Sequence, residues 1–123
     1  MAENTGRLSV QASAAIASGT SQSAAIDMRE YVIAALLMPA AWDLAAITFL
    51  ACDTQGGTFL PVYDDAGTEV TIASANAVAG RAIVNKTVLE QLAGIRWLKI
   101  RSGVAATPVN QTADRAIIVS LKS

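Results

Sequence analysis

The side chains best suited by type to hold a proton or an ion are four carboxylates in the middle of the chain, Asp53, Asp64, Asp65 and Glu69. General acid–base chemistry needs two such groups close enough to drive their pKa values apart. Asp53 lies in Asp53-Thr54-Gln55-Gly56-Gly57, and Asp64 and Asp65 open Asp64-Asp65-Ala66-Gly67. Both are turn sequences, and the strand of about six residues between them holds their carboxylates roughly 20 Å apart at the rise of an extended chain. Asp64, Asp65 and Glu69 can offer oxygens to calcium around Gly67, but their spacing is not that of an EF-hand loop, and Asp and Gly at a hairpin tip serve turn geometry. There is no histidine, the one side chain whose unperturbed pKa lies near neutrality. The single Cys52 excludes an internal disulfide. With Leu50 and Ala51 before it and no neighbouring Lys or Arg, it reads as a buried core thiol and not as a nucleophile. The expectation is a protein that is not an enzyme and uses no cofactor or metal.

Trp42 and Tyr63 are the candidates for a sugar-stacking platform, since an exposed ring can bind a pyranose face. The chain has only two each of Trp, Tyr and Phe, and Trp97 beside Leu98 and Ile100 reads as core. Packing or interface use of the aromatics is favoured over glycan binding.

A chain of 123 residues suffices for one core and not for two, so residues 8–123 read as a single domain preceded by a flexible arm, 1–7. Nine basic and ten acidic residues give a net charge of -1, which supplies no field to gather nucleic acid or an anionic membrane surface. The first residues lack the basic and apolar regions of a secretory signal, and the acceptor-like triplets at Asn85 and Asn110 are read as chance matches. Residues 31–52 are apolar over a length that can cross a bilayer. Pro39 breaks a helix there, and Asp43 near the centre costs about 2.5–3.5 kcal/mol on insertion scales, so two buried strands are expected instead.

The elements that position these residues follow from periodicity. Leu8, Val10 and Ala12 alternate with Ser9, Gln11 and Ser13, the period of a half-buried strand. Residues 18–23 are small and polar and read as a loop, followed by a short strand at Ala24-Ala25-Ile26. Residues 31–38 and 47–52 are apolar on both faces; their β-branched and aromatic content and the flanking Pro39 and Gly56-Gly57 favour strands over helix. Residues 58–63 and 68–72, separated by the second turn, extend the 47–52 strand into a meander, with Pro61 restricting the middle strand to an edge or interrupting it. After a strand at Ala82-Ile83-Val84, Asn85 can cap a brief helix with Val88, Leu89 and Leu92 on one face and Gly94 ending it. Strands at 95–101 and 115–121 close the chain, separated by a loop holding Gly103 and Pro108. Such a string of short strands with one short helix predicts an all-β fold, an antiparallel β-sandwich of jelly-roll type.

A sandwich of this size covers only the inner face of each sheet, and strands apolar on both faces leave an outer face in need of a partner. With 53% hydrophobic residues and few charges, association is the predicted activity. Tyr31, Ile33, Leu37, Trp42 and Leu44 are the expected contact residues.

Several blocks then stand out together: Ser23-Ala24-Ala25-Ile26-Asp27-Met28-Arg29, Met38-Pro39-Ala40-Ala41-Trp42, Ile47-Thr48-Phe49, Gly57-Thr58-Phe59, Val62-Tyr63-Asp64-Asp65-Ala66-Gly67-Thr68-Glu69-Val70 and Leu98-Lys99-Ile100-Arg101-Ser102. In these the chain resembles small virion proteins of tailed bacteriophages, over most of residues 18–122. The resemblance implies a non-enzymatic β-sandwich on the capsid surface of the virion, made in the host bacterial cytoplasm. Such a protein decorates or cements the lattice of the major capsid protein, commonly as a homotrimer. It leaves open a neck, tail or head-fibre-base protein, and a carbohydrate-binding module for host attachment. The family pattern has Gly after the Arg of the first block, where this chain has Glu30, and its turn before Thr58-Phe59 differs from Cys52-Asp53-Thr54-Gln55-Gly56-Gly57. Those departures fall at loop tips.

Overall fold

The computed structural model describes residues 9–84 and 86–123; the expected arm, 1–7, and the capping Asn85 lie outside them. The described chain forms β1 (Ser9–Ile16), β2 (Ile26–Asp27), β3 (Val32–Leu37), β4 (Ile47–Cys52), β5 (Leu60–Pro61), β6 (Ala82–Ile83), α1 (Lys86–Glu90), β7 (Trp97–Val104), β8 (Thr107–Pro108) and β9 (Arg115–Lys122). One sheet has the order β1-β9-β3-β6 and the other β2-β7-β4-β5, with β8 paired to the end of β7. Every pairing is antiparallel. The chain crosses repeatedly between the sheets, so that first and last strands lie side by side; this is the winding of a jelly roll, and the all-β sandwich expected from periodicity is the fold observed.

Alternation sets what goes inside. Ile117, Val119 and Leu121 of β9 are buried, as are Ala14 and Ile16 of β1, and Ile33 and Leu36 of β3. Facing them across the sandwich are Ile47 and Phe49 of β4 and Leu98 and Ile100 of β7, each fully buried. Side chains of this size stabilise by about 1.5–3 kcal/mol each on complete burial, so the core is carried by these five strands. Between Ile33 and Ala35 the pairing of β3 with β9 shifts by one residue, a bulge that places two residues against one.

Three local expectations need correction. Thr107 and Pro108 do not lie in a free loop: they pair with Val104 and Gly103, turning the end of β7 into a hairpin. The second leg of the central meander is not a simple third strand. Tyr63 bridges Glu69 as expected, but Ile72 then returns to pair with Ile47 of β4. Trp97 is not core either; it is half-buried on the outward face of β7, opposite Cys52, with the Arg96 guanidinium 5.5 Å from its ring centroid. Parity explains it: Leu98 and Ile100 take the inner face of β7, which leaves Trp97, Lys99 and Arg101 for the outer one.

Candidate functional site: an uncharged sheet face and a pinned loop

The carboxylates singled out in the sequence do not converge. Asp64 accepts the backbone N–H groups of Ala66 and Thr68 through one oxygen, Oδ1, at 2.9 Å each, the geometry of a turn held by its own Asp. Glu69 is drawn away from that turn: its Oε2 accepts from Arg101 Nη2 and its Oε1 from the Ala105 N–H at 3.1 Å. Among the described residues, no three His, Cys, Asp or Glu side chains gather around a possible ion. Cys52 is only half-buried, on the outer face beside Trp97, and its thiol donates to the Thr54 carbonyl at 3.1 Å; the core placement expected for it is corrected. Trp42 packs against the core and donates its indole N–H to the Ala45 carbonyl at 3.3 Å, while Tyr63 stands 53% exposed on the hairpin.

Two polar networks of which sequence periodicity gives no sign tie distant segments together. Arg101 is 4% exposed although it points outward from β7. Its Nε donates to Thr48 Oγ1 at 2.9 Å, and that hydroxyl donates in turn to the Gly103 carbonyl at 2.7 Å. With Glu69 across the guanidinium, the outer face of β4 is covered by the chain itself, so its apolar run requires no partner. The second network pins the 39–46 loop. Gln111, fully buried, accepts the Asp43 N–H at 2.8 Å and Arg115 Nε at 3.1 Å, and donates to the Asp43 carbonyl at 3.1 Å and to Ser102 Oγ at 2.7 Å. The Asp43 carboxylate accepts from the Thr112 N–H at 2.7 Å and Arg115 Nη2 at 2.9 Å. These bonds, those from Thr112 foremost, hold its pKa below the usual carboxylate range.

The five expected contact residues therefore separate. Ile33 is 5% exposed and belongs to the core, because the alternation of β3 turns it inward; it offers a partner no surface. Tyr31 and Trp42 are half-buried with their rings against the core. Leu37 faces outward and is half-buried, and Leu44 is 78% exposed on the pinned loop, directly after Asp43.

Around Leu37, the outer face of the β1-β9-β3-β6 sheet is built almost without charge. Ser13, Ile118, Leu37 and Ala82 form one row across the four strands, with Gln11, Ser120 and Ala35 in the next. Ala15 and Ala116 flank the row on one side, and Lys122 beside Val32 marks the opposite end. In the sequence the buried face of β9 is announced by Ile117, Val119 and Leu121; the signal for the other face is Ile118 itself, an apolar residue at an outward position of the alternation, half-buried in the structure. No protein family, curated protein or solved structure matches the chain.

Proposed function

We propose that the protein is a non-enzymatic structural component of a tailed-bacteriophage virion, a decoration or cement protein that reinforces the lattice of the major capsid protein. The observation that carries an association role is the outer face of the four-stranded sheet, where Leu37, Ile118 and Val32 stand among alanines and serines with Lys122 only at the margin. Such a face loses little by desolvation, and its small side chains permit close approach of another surface. Leu44, held out by the Asp43 clasp, adds an anchor whose position is set before binding, which lowers the ordering cost of contact. The virion setting comes from the sequence blocks that resemble phage decoration proteins.

Reinforcement by such a protein is a matter of area and repetition. A contact of standard size covers about 1,600 Å² in total, and hundreds of copies, each against the shell and its neighbours, resist the pressure of packaged DNA without covalent bonds.

The test is to mix the purified protein with shells of the major capsid protein and image the particles. Hundreds of copies per shell in the wild type, and their loss in Leu37→Asp with Ile118→Asp, is the expected result. A dozen or fewer copies, confined to one vertex or to a tail, makes it a neck, tail or fibre-base protein instead. No binding to any particle removes the virion reading.

A further inference from the structure

We infer that the open edge of β1 is where two copies of this chain join, strand to strand, across a two-fold axis. The inference does not depend on the virion reading.

Among the described residues the edges of the two sheets are unequal. β2, β5 and β6 are two residues each, β5 contains Pro61, and α1 packs against β3. Short length, proline and a covering helix are ordinary ways of keeping a sheet edge from pairing with another chain. β1 has none of them. It is eight residues long, Ser-Val-Gln-Ala-Ser-Ala-Ala-Ile, with no charge, proline or glycine, and it runs in unbroken register with β9.

Which of its backbone groups are available follows from one hydrogen bond. The Ala24 N–H donates to the Ala15 carbonyl at 3.1 Å, so Ala15 points its backbone away from β9. In an antiparallel strand the N–H and C=O of one residue point the same way, and alternate residues share that direction. Ser13 and Gln11 therefore also direct their N–H and C=O away from β9, and no described segment pairs with them there.

What fits this edge is another extended strand, and the side chains of β1 suit a second β1. With the two-fold axis at Ala12, Gln11 faces the partner copy's residue at position 13 and Ser13 faces position 11, which closes four backbone hydrogen bonds. Ala12 meets its own equivalent in the close, non-hydrogen-bonded position, where a small side chain is needed. Val10, an inward-facing residue left 39% exposed at the edge, comes opposite the position of Ala14. No like charges are brought together, because the strand has none. Only residues of the same parity pair in this arrangement, so each inner face stays inner and the two sheets join into one of eight strands, doubling the uncharged outer face. An isologous contact of this kind gives dimers, not the trimers that the sequence resemblance implies.

The experiment is sedimentation of the full chain over a dilution series, with hydrogen exchange followed at the Gln11 and Ser13 amides. The expected result is a mass approaching twice 12.7 kDa as concentration rises, with both amides protected in the dimer and open after dilution. Ser13→Pro removes one edge donor without touching the ladder to β9, a placement proline tolerates, and is expected to sediment as a monomer with an unchanged circular dichroism spectrum. Should that variant misfold, Gln11→Lys with Ser13→Lys places exposed like charges across the axis and separates the copies. A monomeric wild type, a trimer whose two amides exchange freely, or a folded edge variant that still dimerises overturns the inference.

Discussion

Asp27, the Asp43–Gln111 pair and Arg101 show how polar side chains hold this fold together at three separate places. Asp27 accepts from Arg96 Nε at 2.6 Å and from Arg29 Nε at 3.2 Å, and the Arg96 hydrogen bond is the main reason its pKa is lowered to about 2. A depressed carboxyl stabilises the fold above its unfolded pKa, near 3.9, and that contribution is lost as pH falls through the folded value. The expected outcome is that Asp27→Asn flattens the pH dependence of unfolding between about pH 4 and pH 2, measured by urea titration against the wild type. Arg101 and Glu69 behave differently because they are buried: their side chains are 5% and 13% exposed. Glu69→Ala leaves a guanidinium without its counter-ion and is expected to cost about 3 kcal/mol or more in denaturant unfolding, whereas replacing both partners by apolar residues of similar volume recovers part of that loss.

At the scale of elements, the turns show which glycines are required by space and which by conformation alone. Gly103 has φ +93, and a Cβ there meets the Thr107 carbonyl oxygen and the Val109 nitrogen at 2.6 Å, both of them backbone of the β7–β8 hairpin. Gly67 has φ +82 at the tip of the 62–70 hairpin, with nothing within 4 Å of the added carbon. Gly67→Ala is expected to cost about 1 kcal/mol for the left-handed backbone, and Gly103→Ala clearly more, since the hairpin must also move; thermal unfolding of the pair checks it. The hairpin tip at Gly67 is legible in Asp64-Asp65-Ala66-Gly67. Nothing near Gly103 announces that the chain doubles back so tightly, because the close contact is made by backbone atoms whose positions depend on the pairing of Val104 with Thr107.

For the whole molecule, the balance between covered and uncovered apolar surface decides how it behaves. β4 reads as a strand needing cover on both faces, and the 62–72 segment with Arg101, Thr48 and Glu69 supplies it. Apolar surface left over lies on the outer face of the opposite sheet and at Leu44, with Leu60, Tyr63 and Val84 exposed singly elsewhere. Leu44→Ser is expected to leave unfolding within about 0.5 kcal/mol of wild type, because the side chain is 78% exposed and the loop is held by Asp43 and not by Leu44, while weakening binding to shells in a pelleting assay. Phe49→Ala, by contrast, is expected to destabilise by about 3–5 kcal/mol through the cavity it opens between the sheets, measured by denaturant unfolding.

The amino-acid sequence by itself determined the succession of short strands, the turns at Asp64-Asp65-Ala66-Gly67 and Gly94, the brief helix with Val88 and Leu89 inward, and the sandwich these imply; Leu92, expected on the same helix face, is buried from the turn that follows the helix. Each depends on residues close together in the chain, through alternation, β-branching and glycine geometry. Only the tertiary structure decided that Ile33 is core while Leu37 faces out, that Arg101 can be buried, and that Asp43 clasps Arg115 and Gln111 from about 70 residues away. Strand parity after a bulge and the meeting of distant loops are set by how the two sheets wind around one another, and no local pattern carries that information.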